Sequence, residues 1–226
     1  EIFDYYVDNH YSTTTTAKLK TACKMVFDWA IKHDFCEKNY ADYLTVKDKR
    51  TESEKEKTRK DIFTIEEIQR LRCNDQDPYA QAILVLVYTG MRPSELLDLK
   101  VENIHLSERY MIGGIKTSNG INRIIPIHES IVPYLKNFID SNLVIGTTYP
   151  SFKYHFGKVT KRLKINEKCS PHSGRHTFSS ISKKYKLDDF LVTKIMGHSP
   201  KTLKDKVYTH TTAIELIKEV NKLPTF

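Results

Sequence analysis

Residues 77–99 read DPYAQAILVLVYTGMRPSELLDL, and the reading of the fold starts here. Asp77-Pro78 is a helix start, a capping carboxylate followed by proline at the first helical position. The apolar helix it opens is expected to end near Gly90, and Pro93 opens another that carries Leu96, Leu97 and Leu99. Arg92 falls at the break between the two. An arginine amid apolar helices needs a partner, and Glu95, one turn further on, offers a carboxylate.

Helix signals continue on both sides. Upstream, Thr64-Ile65-Glu66-Glu67 is a capping-box pattern followed by apolar Ile68 and Leu71. Downstream, Ser170-Pro171 starts a helix, Asp188 caps one ended by Gly197, and Thr212-Ala213-Ile214-Glu215 caps the last. Between Tyr110 and Ile127 the pattern changes. Two β-rich runs flank Ser118-Asn119-Gly120, and Asn-Gly is a strong hairpin signal. The expected fold is mainly α with a small antiparallel β-sheet, an α+β domain over residues 63–226. There is no internal repeat.

Between Lys47 and Asp61 twelve of fifteen residues are charged and none is apolar. Such a run cannot bury itself, so residues 47–62 are expected to be a charged linker, extended and solvated. Before it, Leu19, Cys23, Val26 and Ala30 recur at helical spacing after the Thr13–Thr16 run. Residues 1–46 thus read as two or three helices, too few for a robust core, and are expected to be part of a longer domain.

The net charge of +8 is unevenly placed. Residues 151–226 hold 16 Lys/Arg against 6 Asp/Glu, a net of +10 that leaves −2 for residues 1–150. A basic C-terminal third suits a polyanionic partner, although a solvated lysine-rich surface would give the same count. Cys23, Cys36, Cys73 and Cys169 are dispersed, form no CxxC pair and read as reduced structural thiols. No metal or other cofactor is expected. No apolar run approaches the roughly 18–20 residues of a membrane span. Residues 1–8 lack a signal-peptide layout, so a cytoplasmic protein is expected, with no membrane partner.

Six side chains stand out for chemistry: Arg92, Lys116, His172, Arg175, His198 and Tyr208. His172 and Arg175 lie three apart at a helix start, where backbone N–H groups and the positive helix end favour an anion. Two cations side by side repel unless something negative lies between them, and a phosphate would satisfy both. His198 follows Gly197 just past a helix end. Lys116 lies on the first strand of the hairpin, two residues before its turn. Tyr208 precedes the final helix. Each has an ordinary structural explanation when taken alone: a junction ion pair, a surface pair, a dipole-facing imidazole, a solubilising lysine, a packed aromatic.

Together the residues carry more. The order Arg, Lys, His-x-x-Arg, His, Tyr resembles the tyrosine recombinase family, which includes phage and conjugative-transposon integrases. The resemblance spans Thr64 to about Thr211. It rests on Thr89-Gly90-Met91-Arg92-Pro93-Ser94-Glu95, Pro171-His172-Ser173-Gly174-Arg175-His176-Thr177-Phe178, Met196-Gly197-His198-Ser199 and Val207-Tyr208-Thr209-His210. Phe27-Asp28-Trp29-Ala30 is similar to the later helices of the family's core-DNA-binding domain, so residues 1–46 would be part of one. Two departures stand out. Gly174 replaces an apolar residue common in the family, which should weaken helix packing by up to about 1 kcal/mol. The His198–Tyr208 interval is ten residues, where many relatives have nine.

The resemblance implies metal-independent phosphoryl transfer on double-stranded DNA, with integration or excision of a bacterial or phage-encoded mobile element as its purpose. Arg92 and Arg175 would clamp the scissile phosphate, Tyr208 would attack phosphorus, and His172 would accept the tyrosine proton. Lys116 would protonate the leaving 5′-oxygen, His198 would donate to the phosphate, and Glu95 would orient Arg92. The resemblance further implies a tetramer on two DNA sites, accessory DNA-bending proteins in some cases, and a C-terminal segment docked on a neighbouring protomer. Ile214, Leu216, Ile217, Val220 and Leu223 would form that docking face, or would fold onto their own domain. A type IB topoisomerase, or a DNA-binding regulator of the same fold that has lost catalysis, are the competing readings.

Overall fold

The computed structural model describes residues 2–47, 49–58, 61–114, 122–141, 144–198 and 212–226. The chain forms two compact units, Glu1–Arg59 and Lys60–Phe226. The division falls inside the charged segment.

In the first unit, helix α1 (Ile2–Asp8) precedes the long α2 (Thr13–Lys32), whose N-cap Ser12 accepts from the Thr15 N–H. A 3₁₀ turn, Tyr40–Tyr43, follows. Phe3, Val7 and Ala41 are buried, whereas Met25, Val26 and Trp29 are 56–68% exposed. The core of this unit is accordingly slight. The charged segment is not wholly extended as expected: Glu52–Thr58 forms helix α3. The Thr51 hydroxyl accepts from the Glu54 N–H while the Glu54 carboxylate takes the Thr51 N–H, a reciprocal cap that starts a helix without any apolar face.

The second unit is built around one helix. Helix α4 (Ile65–Arg72) opens on the Thr64–Glu67 capping box, and α5 (Pro78–Thr89) is capped by Asp77. Every residue of α5 from Ala80 to Thr89 is buried. A helix apolar all round must be enclosed. Here α4, α7 (Val132–Ser141), α8 (Tyr149–Arg162) and α9 (Ser173–Lys184) pack against it. Between them run α6 (Pro93–Leu97) and a three-stranded antiparallel sheet of order β1-β2-β3 (Ile104–His105, Tyr110–Gly113, Arg123–Pro126). Met111 pairs with Ile125 and Gly113 with Arg123. The two runs expected to pair do so, and the two-residue strand β1 is an addition, too short to carry an alternating pattern. Helices α10 (Asp189–Met196) and α11 (Ala213–Val220) both pack on β3.

The helix expected from Ser170-Pro171 begins later, at Ser173, with His172 as its N-cap residue. The Ser173 hydroxyl accepts from the Ser170 N–H, which closes a turn ahead of the helix. Gly174 does not loosen packing, contrary to the expectation from its low helix propensity. A Cβ there would lie 2.7 Å from the Leu86 Cβ and 3.3 Å from the Leu86 carbonyl carbon. The glycine lets α9 approach the backbone of α5, a contact set against a propensity cost of about 1 kcal/mol.

Leu216, Val220 and Leu223 are buried within their own unit, while Ile214 is 77% exposed. The final residues are tied down as well. The Tyr88 hydroxyl donates to the Pro224 carbonyl and accepts from the Phe226 N–H, and the Ser130 and Thr225 hydroxyls bond at 2.7 Å. Among the described residues, no helix is long and apolar enough to cross a membrane.

Candidate active site

The site grows from the end of α5. Gly90 adopts the left-handed conformation that ends the helix, at φ 63°, and its carbonyl turns toward α9. Arg175, in the first turn of α9, donates to that carbonyl at 2.6 Å and to the Met196 carbonyl, at the end of α10, at 2.7 Å. The same guanidinium donates to Nε2 of His198 at 2.7 Å. Since a guanidinium has no acceptor, Nε2 must be the unprotonated nitrogen of that ring. Gly197, at φ 65°, makes the turn that places His198 here. Arg175 thus fastens three segments and is only 6% exposed. Burial, and next the charge of Arg92, bring its pKa down from 12.5 to about 10, while Glu95 acts in the opposite sense. It remains cationic at neutral pH.

Arg92 stands at the N-cap of α6. Its guanidinium donates to the Glu95 carboxylate at 2.7 Å, and its backbone N–H donates to the other carboxylate oxygen at 2.9 Å. The junction ion pair expected from the sequence is present. Glu95 is 2% exposed. Burial pushes its carboxyl pKa up, but the bonds and charges of Arg123 and Arg92 outweigh this and hold it at about 2.

Arg123 is the member that sequence reasoning missed. It lies on β3 and is 8% exposed. It forks onto Glu95, with one nitrogen 3.2 Å from Oε1 and the other 2.7 Å from Oε2, and its Nε donates to the Ile195 carbonyl at 2.8 Å. A signal was available. Strand side chains alternate, so Arg123 shares the inward face with Ile125, and a cation at core parity requires a buried anion.

The structure therefore brings together Arg92, Glu95, Arg175 and His198, with Arg123 as a fifth member. His172 shares the first turn of α9 with Arg175, and its ring lies 6.5 Å from that of Tyr149. Lys116, the Asn119-Gly120 turn and Tyr208 lie outside the described residues. Among the described residues no group of His, Cys, Asp and Glu is arranged to hold a metal ion. The chemical character is clear. Two guanidinium groups, those of Arg92 and Arg123, bond one carboxylate, and a third, that of Arg175, is held by two carbonyl oxygens and an imidazole within reach of its charge. The cluster carries a surplus of fixed positive charge and fits an oxyanion with several acceptor oxygens.

Comparison with known proteins identifies the family. Residues 61–215 match the phage integrase family. The tyrosine recombinase XerD of Vibrio vulnificus strain YJ016 is 28% identical, covering 96% of this chain and 76% of the relative. The tyrosine recombinase XerA of Saccharolobus solfataricus is 30% identical over 73% of this chain and 57% of the relative. Against the XerD proteins of Staphylococcus saprophyticus and Halalkalibacterium halodurans, the alignment covers 53% and 57% of the relatives' length. Among solved structures, the Tn1549 transposon integrase in complex with transposon right end DNA shares the fold. Its TM-score is 0.73 at 23% identity, covering 98% of this chain and 82% of that one. A lambda integrase dimer bound to a COC' core site has a TM-score of 0.67 at 15% identity, covering 92% and 62%. With a family match that takes in well over half of its residues, the chain belongs to the phage integrase family, that of the tyrosine recombinases.

Proposed function

We propose that this chain is the DNA-cleaving part of a site-specific recombinase that breaks and rejoins double-stranded DNA through a 3′-phosphotyrosyl intermediate, in the integration or excision of a mobile element. The observation that carries the reading is the arginine cluster at Glu95, buried Arg123 and Arg175 with the half-buried Arg92, which holds more positive charge than its one carboxylate balances. A scissile phosphate is the anion that suits it.

Arg92 and Arg175 would hold the non-bridging oxygens and stabilise the added charge of the pentacoordinate transition state, the work a divalent cation does elsewhere. The Tyr208 oxygen forms a bond to phosphorus as the bond to the 5′-oxygen breaks. His172 takes the tyrosine proton, needed because an unperturbed phenol ionises near pH 10, and Lys116 gives a proton to the leaving oxygen. With Nε2 of His198 accepting from Arg175, donation to the phosphate falls to its other ring nitrogen or follows a turn of the ring. Because the phosphotyrosyl bond conserves the diester's energy, attack by another 5′-hydroxyl rejoins DNA without a nucleotide cofactor. No metal or other cofactor enters the scheme.

Residues 1–46 would be part of a core-DNA-binding domain, 47–62 its charged linker and 63–226 the catalytic domain. The working assembly would be a tetramer on two DNA sites in the cytoplasm, aided in some settings by DNA-bending proteins. The Tn1549 and lambda integrases, which share this fold, were solved bound to DNA, and that supports the choice of substrate.

The test uses a library of duplexes nicked so that the released 5′-hydroxyl fragment diffuses away. The wild-type chain is expected to form detergent-resistant adducts, and Tyr208→Phe to form none while its DNA affinity stays within about threefold. An adduct that persists in the variant overturns the nucleophile assignment. Relaxation of supercoils without strand exchange between two sites would favour the topoisomerase reading.

A further inference from the structure

Arg123 has a fork geometry that goes beyond neutralising Glu95. Two of its nitrogens meet the two oxygens of the Glu95 carboxylate, and the third donates to the Ile195 carbonyl in the last turn of α10. The oxygens it touches are the same two that hold Arg92: Oε1 takes the Arg92 guanidinium and Oε2 the Arg92 backbone N–H. The carbonyl one residue beyond Ile195, that of Met196, holds Arg175, and His198 follows two residues later. One guanidinium on β3 thus ties the anchor of Arg92 to the segment that seats Arg175 and His198.

We propose that Arg123 is a positioning residue for the strand-cleavage reaction, setting the separation between Arg92 on one side of the phosphate and the Arg175–His198 pair on the other. It acts through Glu95 and Ile195, without touching DNA. The inference rests on the functional reading above. Lysine keeps the charge but loses the fork, and a point charge cannot hold two carboxylate oxygens and a carbonyl in one plane. Displacing a clamp by about 1 Å is worth on the order of a hundredfold in rate.

The experiment measures adduct formation and DNA affinity on a nicked duplex that the wild-type chain cleaves, for Arg123→Lys, Glu95→Gln and the double variant. Arg123→Lys is expected to bind DNA within about threefold of wild type and to cleave ten- to a hundredfold more slowly. In the Glu95→Gln background the same change should cost little more, because the bridge is already broken. Cleavage by Arg123→Lys at the wild-type rate overturns the proposal. So does an affinity loss equal to the rate loss, or losses that multiply in the double variant. Arg123→Gln, which still donates to one Glu95 oxygen, serves as a second variant, and failure of both to fold would make Arg123 a folding residue and overturn the proposal too. Absence of any wild-type adduct would instead overturn the reaction itself, and Arg123's role with it.

Discussion

Arg175 donates to the carbonyl oxygen of Gly90 at 2.6 Å, so the deepest cation of the site is fixed by the residue that ends the central helix. That contact requires α9 to lie close against α5, and two glycines permit it. A Cβ on Gly90, already at positive φ, would come 2.4 Å from the Phe178 ring, and one on Gly174 would come 2.7 Å from the Leu86 Cβ.

Gly174→Ala separates packing from propensity. Alanine gains about 1 kcal/mol of helix propensity, yet the added methyl meets the backbone of α5 as well as a side chain. Overpacking costs about 1–3 kcal/mol. The variant is expected to be less stable than wild type by up to about 2 kcal/mol in urea denaturation, with slower cleavage as α9 is displaced. Equal or greater stability would show that the gap between α5 and α9 is slack.

Glu95 ties stability to pH. Its folded-state pKa of about 2 lies below the ordinary 4.5, so it contributes stability that is complete above 4.5 and lost as pH falls through 2. The contribution is about 3 kcal/mol by linkage. Glu95→Gln should lose about 3–5 kcal/mol at neutral pH, since it leaves Arg123 buried without its anion. Its stability should also change less than wild type's between pH 4.5 and 2. Denaturant titrations across that range check both, and parallel curves for the two proteins would contradict the assignment.

His128 works in another window. Its ring is buried on Tyr88, Nδ1 accepts from the Ser130 N–H at 3.1 Å, and Nε2 lies 2.9 Å from the Leu223 carbonyl. Both bonds are made at once only by the neutral ring with its proton on Nε2. Burial is the main cause that lowers its pKa from 6.5; the Leu223 bond and Glu129 oppose the shift, and Arg109 and Arg72 add to it. A lowered pKa means that stability holds above 6.5 and falls as pH drops from there toward the folded value. The C-terminal residues should loosen first. Protection of the Leu223, Thr225 and Phe226 amides, taken relative to intrinsic exchange, is expected to fall as pH drops below 6.5 in wild type, and to be lower but nearly flat with pH in His128→Asn. An unchanged wild-type profile would exclude His128 as the cause.

Much of this was legible in the sequence because capping chemistry is local. Thr64, Asp77, Asp188, Gly197 and Thr212 each mark a helix end that the structure confirms. Arg92 with Glu95 was legible for the same reason, being three residues apart. What escaped depends on distant partners. Arg123 meets Glu95 across 28 positions, and only its strand parity hinted at burial. Gly174 looked like a weakness because propensity is local, whereas its partner Leu86 is on another helix. The charged segment misled because reciprocal capping at Thr51 and Glu54 starts a helix without apolar residues.

The central claim is that the arginine cluster acts on the phosphate in the transition state. The most direct test compares single-turnover cleavage and DNA affinity for wild type and Arg175→Lys, which keeps the charge but cannot span Gly90, Met196 and His198. The account predicts a cleavage rate lower by about a hundredfold or more with affinity within about threefold. Equal losses in rate and affinity, or wild-type cleavage, would contradict it.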